Sequence, residues 1–204
     1  MNRFSTESGR LEAFSDGVLA VIITIMVLDL RPPQGTDLHA VVASLPTIVV
    51  YALSFVFIGI YWNNHHHMLR ASAGIDGRAM WANLHLLFWL SLVPFATAWL
   101  GEHPTETGPT VLYCSILLLD AIAYTLLQNA LIAVNGRDTA FAKAVAADVK
   151  GKISIAFYAI AIAAGFFWPI VSDIAVITVA VIWIVPDRRF EPLIASNGSA
   201  DDAD

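Results

Sequence analysis

RLEAFSDGVLAVIITIMVLDL, the stretch from Arg10 to Leu30, has the apolar content of a membrane span yet carries Arg10, Ser15 and Asp16 in its first half. An ionisable side chain at membrane depth costs on the order of several kcal/mol, so it faces protein or water and not lipid. On a helix, at about 100° per residue, Val21, Ile25 and Leu28 follow i, i+4, i+7 spacing and share one face. Ser15 and Asp16 sit well over a quarter-turn from that face. One helix therefore carries a narrow apolar stripe and a polar one near its start. Arg3 and Arg10 precede the run as in a secretory leader, but Glu12 and Asp16 interrupt it. The run ends in Asp29-Leu30-Arg31-Pro32-Pro33 with no small-x-small cleavage site, so the stretch reads as a retained first span.

The rest of the composition agrees. Hydrophobic residues make up 57% of the chain and charged residues 14%, and mean hydropathy is +0.68. Soluble domains carry about 25% charged residues, so an integral membrane protein is expected. The net charge of −6 says little about partners, because Asp201, Asp202 and Asp204 supply much of it at the C-terminus. No basic patch with interleaved aromatics suggests nucleic acid. The single cysteine, Cys114, makes no intrachain disulfide framework and no metal motif, and reads as a small buried hydrophobe.

About 20 apolar residues cross a bilayer, and the chain offers six such segments, at roughly 9–30, 38–68, 79–100, 109–135, 151–170 and 172–186. The second begins after Pro32-Pro33-Gln34-Gly35 and is long enough to run beyond the membrane. Gly101 and His103-Pro104 close the third. Pro109 suits a first helical turn and Asn135-Gly136 a stop. The fifth and sixth form a tight hairpin around Pro169 to Asp173, and residues 187–204 read as a disordered tail. The expected organisation is one six-helix unit over 1–190 with an acidic tail at 191–204.

The basic residues test that count. With both termini, the second–third loop and the fourth–fifth loop placed in the cytoplasm, Arg3, Arg10, Arg70, Arg78, Arg137, Lys143, Lys150, Lys152, Arg188 and Arg189 lie inside, and only Arg31 lies outside. That is the positive-inside pattern, and five or seven spans would scramble it. No internal repeat is visible. A pore built from first helices around an axis would need more than one copy, hence a symmetric homo-oligomer.

Among polar residues the run Asn63-Asn64-His65-His66-His67 is the most conspicuous. Three adjacent histidines on a helix point in three directions and do not converge on a metal, which wants i, i+4 spacing or partners from other segments. They are either interfacial residues at a cytoplasmic helix end or part of a buried network with the first helix. Asp16 in a low-dielectric setting must be satisfied internally, and neighbouring donors would do it. Asp120 and the Gln128-Asn129 pair are further buried polar groups on the fourth span, most simply explained by hydrogen bonds between helices. Trp62, Trp81, Trp99, Trp168 and Trp183 fall towards span ends, where interfacial belts place them.

The pattern RxxxFSDG followed by an apolar run with one threonine is carried by Arg10, Phe14, Ser15, Asp16, Gly17 and Thr24. Tyr61-Trp62 with His65-His66 makes YWxxHH near the end of the second span, and Trp81, Asn83 and Leu92-Val93-Pro94-Phe95 lie on the third. Together these resemble the transmembrane protein 175 family of potassium channels, over roughly residues 10–135. The resemblance implies a prokaryotic member in the cell membrane: all-α, six transmembrane helices per chain, both termini cytoplasmic, a homotetrameric pore lined by the first helix. It implies that Arg10, Ser15, Asp16, His65, His66, Trp81 and Asn83 form a structural network holding that helix in place. Val21, Ile25 and Leu28 align with the family's constriction positions, and Thr24 with a position that influences selectivity. The first constriction position is usually Ile or Leu in the family; Val21 departs from this and implies a wider ring.

Two devices of other channels are missing. No Thr-Val-Gly-Tyr-Gly filter occurs, and no regular Arg/Lys repeat marks a voltage sensor. The apolar stripe remains, as a ring that gates by dewetting and size or as an ordinary packing face. The expected function is a potassium-permeable channel in a lipid bilayer, with no enzymatic role, cofactor or metal and no nucleic-acid partner. The alternative is a proton-coupled transporter relaying through Asp16, Asp120 and His65–His67, although transporters show repeats and broken helices. A metal enzyme using His65, His66, His67 and His85 suffers from poor spacing.

Overall fold

The structure is a computed structural model that describes residues 3–185, 189–190 and 192–194, with side chains from residue 8 onward. Among the described residues it is all-helical: α1 (Arg3–Met26), α2 (Leu38–Ala71), α3 (Gly77–Leu90), α4 (Val93–Glu102), α5 (Thr107–Asn135), α6 (Ala140–Ala146), α7 (Val149–Gly165) and α8 (Pro169–Ile184). A short 3₁₀ turn, Val27–Asp29, extends α1.

Local chemistry sets the boundaries. Asp37, Asp76, Thr139 and Asp148 each accept a backbone N–H from the first turn of α2, α3, α6 and α7 respectively, which satisfies one of the orphan donors there. At the end of α5, Gly136 takes φ +95°, a backbone that side chains resist, and its N–H closes on Ile132 O at 2.9 Å. Pro94 has no N–H, and its ring would clash with the carbonyl four residues back. The expected third span is accordingly two helices, α3 and α4, parted at Ser91-Leu92.

Among the described residues, four segments are long and apolar enough to cross a membrane: Ser8–Asp29, Leu38–Ala71, Gly77–Glu102 and Thr107–Asn135. At about 1.5 Å per residue α2 reaches roughly 50 Å, well beyond a hydrocarbon core of about 30 Å. The expected fifth segment ends sooner than 170. α7 stops at Gly165 because Pro169 begins α8 as its first residue. These two helices, at 17 and 16 residues, are shorter than those four segments and pack against each other as a hairpin.

α5 lies at the centre, packed against α3, α4, α6, α7 and α8, while α1 packs chiefly on α2, α3 and α4. Close approaches use small residues. Thr47 Oγ1 of α2 donates to Gly101 O of α4 at 2.7 Å, and a Cβ on Gly101 would meet Thr47 Cγ2 at 3.0 Å. Ser172 of α8 donates to Ala161 O of α7 at 2.6 Å. A buried hydroxyl chain runs from Thr97 to Ser54 (2.7 Å) to Tyr113 (2.8 Å), joining α4, α2 and α5. In apolar surroundings such pairs replace water as partners, each worth about 1 kcal/mol.

The start of the tail is packed. Phe190 is buried and stacks near Phe141 with centroids 5.7 Å apart, and Leu193 and Ile194 lie against the core. Arg189 approaches Asp148 at 3.3 Å. A tail beginning at 187 or 191 is therefore corrected for these residues; the expectation for 195–204 lies outside the described residues.

Candidate pore helix and its polar anchor

α1 divides into two stripes. Leu19, Ile22 and Met26 are between 1 and 3% exposed, whereas Val21, Ile25 and Leu28 are 56, 41 and 79% exposed. Leu11 and Ser15 extend the buried stripe towards the N-terminus, and Phe14 extends the exposed one. At about 100° per residue the two stripes lie roughly 120° apart, so one helix rests on α2, α3 and α4 and turns an apolar row outward. Leu28 sits in the 3₁₀ turn and not in the α-helix proper, where the rise of about 2.0 Å per residue lengthens its step from Ile25. Thr24 is exposed beside this row, and its hydroxyl reaches both Ala20 O and Val21 O at 2.9 Å.

The buried stripe is anchored by polar groups. Ser15 Oγ donates to Leu11 O at 2.8 Å and accepts the Asn83 amide of α3 at 2.9 Å. That orientation turns Asn83 Oδ1 towards His65 Nε2 of α2 at 2.6 Å, so His65 carries its hydrogen on Nε2. All three side chains are buried. Beside them His66 Nδ1 stands 2.8 Å from Glu12 Oε1, and Asp16 Oδ1 is enclosed without a hydrogen-bond partner.

The expected network thus divides. Ser15, His65 and Asn83 come together as one hydrogen-bonded set, and Asp16 and His66 lie beside it with Glu12, which sequence reasoning missed. Its signal was the i, i+4 spacing to Asp16. Arg10 is exposed, and among the described residues it makes no ion pair. Trp81 is 75% exposed, because two residues from Asn83 is about 200° around α3. Asn129 is exposed, which corrects its reading as a buried polar group. Gln128 instead donates to Asp148 Oδ2 at 3.0 Å. Asp120 is fully buried, and neither carboxylate oxygen has a partner among the described residues.

Long apolar helices, an apolar exterior and polar groups gathered between helices define a multi-pass membrane protein. The family model described as "Endosomal/lysosomal potassium channel TMEM175" matches residues 10–94. A potassium channel of Chryseobacterium sp. (strain P1-3) is 46% identical over 189 residues, covering 93% of this chain and 98% of that one. The crystal structure of a lysosomal potassium-selective channel TMEM175 homolog from Chamaesiphon minutus matches with a TM-score of 0.77 and 28% identity, over 88% of this chain and 97% of that chain. The endosomal/lysosomal proton channel TMEM175 of Danio rerio is 23% identical over 60% of this chain, a match spanning 25% of that longer protein. The chain belongs to the TMEM175 family, as a member of the prokaryotic kind, for which the membrane concerned is the cell membrane.

Proposed function

We propose that the protein is a potassium-permeable channel, a homotetramer in which α1 of each copy faces the axis. In this reading six membrane-crossing segments leave both termini in the cytoplasm, and Val21, Ile25 and Leu28 form apolar rings that constrict the path without a carbonyl filter. The observation that carries the reading is the outward row on α1, exposed on a helix whose opposite stripe is nearly solvent-free. The names of the bacterial relatives support potassium as the ion.

Apolar rings offer an ion no ligand, so flux depends on ring width and wetting. Thr24 complements them. Its hydroxyl hydrogen is committed to a backbone carbonyl, which leaves the oxygen lone pairs free to accept a cation. Ser15, Asn83 and His65 fix the helix and do not touch the ion.

The test is a bilayer recording from the purified protein with potassium facing sodium. A current whose reversal potential follows the potassium gradient supports the channel. The buried Asp120, unpartnered among the described residues, is the observation favouring the proton-coupled alternative. A reversal potential that moves with pH at fixed cation gradients would favour that alternative.

A further inference from the structure

Glu12 and Asp16 are four residues apart on α1 and share one face, one turn from each other. α2 brings His66 against that face. One ligating atom from each of Glu12, Asp16 and His66 lies within 4.8 Å of the other two. Around an ion held at about 2.1 Å, donor atoms sit roughly 3.0–3.4 Å apart, so the set needs to draw in by at most roughly 1.4–1.8 Å. The Glu12–His66 side is already at 2.8 Å.

Two further observations point to a ligand and not to a closed network. Among the described residues, Asp16 Oδ1 is shut off from solvent and accepts no hydrogen bond, and His66 Nδ1 is not aligned as a donor despite its approach to Glu12. Among the described residues, no Lys or Arg pairs with either carboxylate. Even with His66 protonated, two carboxylates would leave one negative charge uncompensated in a half-buried site, a costly arrangement.

We propose that Glu12, Asp16 and His66 form a site for a divalent transition-metal ion of the zinc class. Two carboxylate oxygens and one imidazole nitrogen suit zinc or its neighbours, whereas calcium and magnesium favour oxygen throughout. Three protein ligands leave a further position for water. The consecutive histidines still diverge; only His66 enters the site, and His65 stays with Asn83. With two ligands on α1 and one on α2, the ion clamps the base of α1 beside the Ser15–Asn83–His65 anchor. Metal binding does not depend on the chain being a channel. Any effect of the metal on current does, and rests on the proposal above.

The experiment uses the full chain in detergent, stripped with a chelator and re-equilibrated with zinc chloride alone. About one tightly held zinc per chain is expected by elemental analysis, and cobalt in its place should give a visible ligand-field spectrum. Glu12→Gln and His66→Gln should each weaken binding more than roughly tenfold, since even outer-shell partners of metal ligands carry that much. A His39→Gln/His103→Gln protein, altered far from the site, should bind as the parent does. If His66→Gln does not fold, Glu12→Gln with the cobalt spectrum decides. The proposal is overturned if the stripped parent takes up no stoichiometric zinc, if Glu12→Gln binds like the parent, or if millimolar calcium displaces the ion.

Discussion

Asn83 of α3 donates its amide to Ser15 of α1 across 2.9 Å and presents its carbonyl oxygen to His65 of α2 at 2.6 Å. One amide therefore pins three helices at the polar end of α1. Asn83→Ala leaves the buried His65 ring N–H without its acceptor and takes from Ser15 the donor that its oxygen accepts. Its cost should be about 1–3 kcal/mol, against about 1 kcal/mol for Ser15→Ala, which removes a single interhelical bond. Thermal unfolding in detergent should rank them in that order. An Asn83→Ala protein as stable as the parent would show that the triad anchors nothing.

Why were parts of this anchor legible in the sequence and others not? Ser15 and His65 were marked by the FSD and YWxxHH patterns, and the shared face of Val21, Ile25 and Leu28 by plain helical periodicity. Trp81 was grouped with Asn83 by the family resemblance, although helix geometry sets them on opposite faces of α3. The break between α3 and α4 was written in Pro94, whose effect on Leu90 can be read without a structure. So was α6, with Thr139 as cap and Phe141 and Val145 four apart on its buried face. The Gln128–Asp148–Arg189 cluster was not readable at all, since nothing local says which distant side chain a buried carboxylate will meet.

That cluster gives a second prediction. Asp148 caps α7 through Gly151 N at 2.8 Å, accepts from Gln128 at 3.0 Å and pairs with Arg189 at 3.3 Å. Asp148→Ala removes the cap, at about 1 kcal/mol, together with the Gln128 hydrogen bond and the Arg189 ion pair. Gln128→Ala removes one hydrogen bond. Denaturation should show Asp148→Ala to be clearly the worse, and equal losses would mean that the cap and the Arg189 ion pair add nothing to the Gln128 bond.

Thr24 separates selectivity from stability. Its hydroxyl bonds only to its own helix, so Thr24→Val should leave thermal stability nearly unchanged. It removes the outward oxygen, however, and the preference for potassium over sodium should fall. Thr24→Ser, which keeps the oxygen, should retain it. Mixed-cation reversal potentials read the difference, and an unchanged value in Thr24→Val would take this residue out of the ion path.

Asp120 makes the opposite test. A buried carboxyl with no partner among the described residues contributes little to stability, and an apolar side chain of similar size can replace such a group without loss. Asp120→Leu should unfold at the same temperature as the parent or higher, and should conduct normally if the protein is a channel. Loss of transport in a well-folded Asp120→Leu protein would restore the proton-relay reading.

The outward row on α1 yields the sharpest prediction. Val21, Ile25 and Leu28 are largely exposed and Leu19, Ile22 and Met26 nearly inaccessible, on one helix and in the same stretch of membrane. After Cys114 is replaced, cysteines at 21, 25 and 28 should react with a water-borne thiol reagent and lose current. Cysteines at 19, 22 and 26 should be silent. Lipid cannot mimic this result, because a charged reagent does not reach a lipid-facing cysteine. Size changes should follow the same division. Ile25→Ala or Leu28→Ala widens a ring, raising conductance and weakening discrimination, while Val21→Phe should nearly block flow. Truncation of Leu19 or Met26 instead opens a cavity costing about 2–5 kcal/mol and should lower stability with little change in permeation per channel. If all six cysteines are protected, α1 does not line the pore.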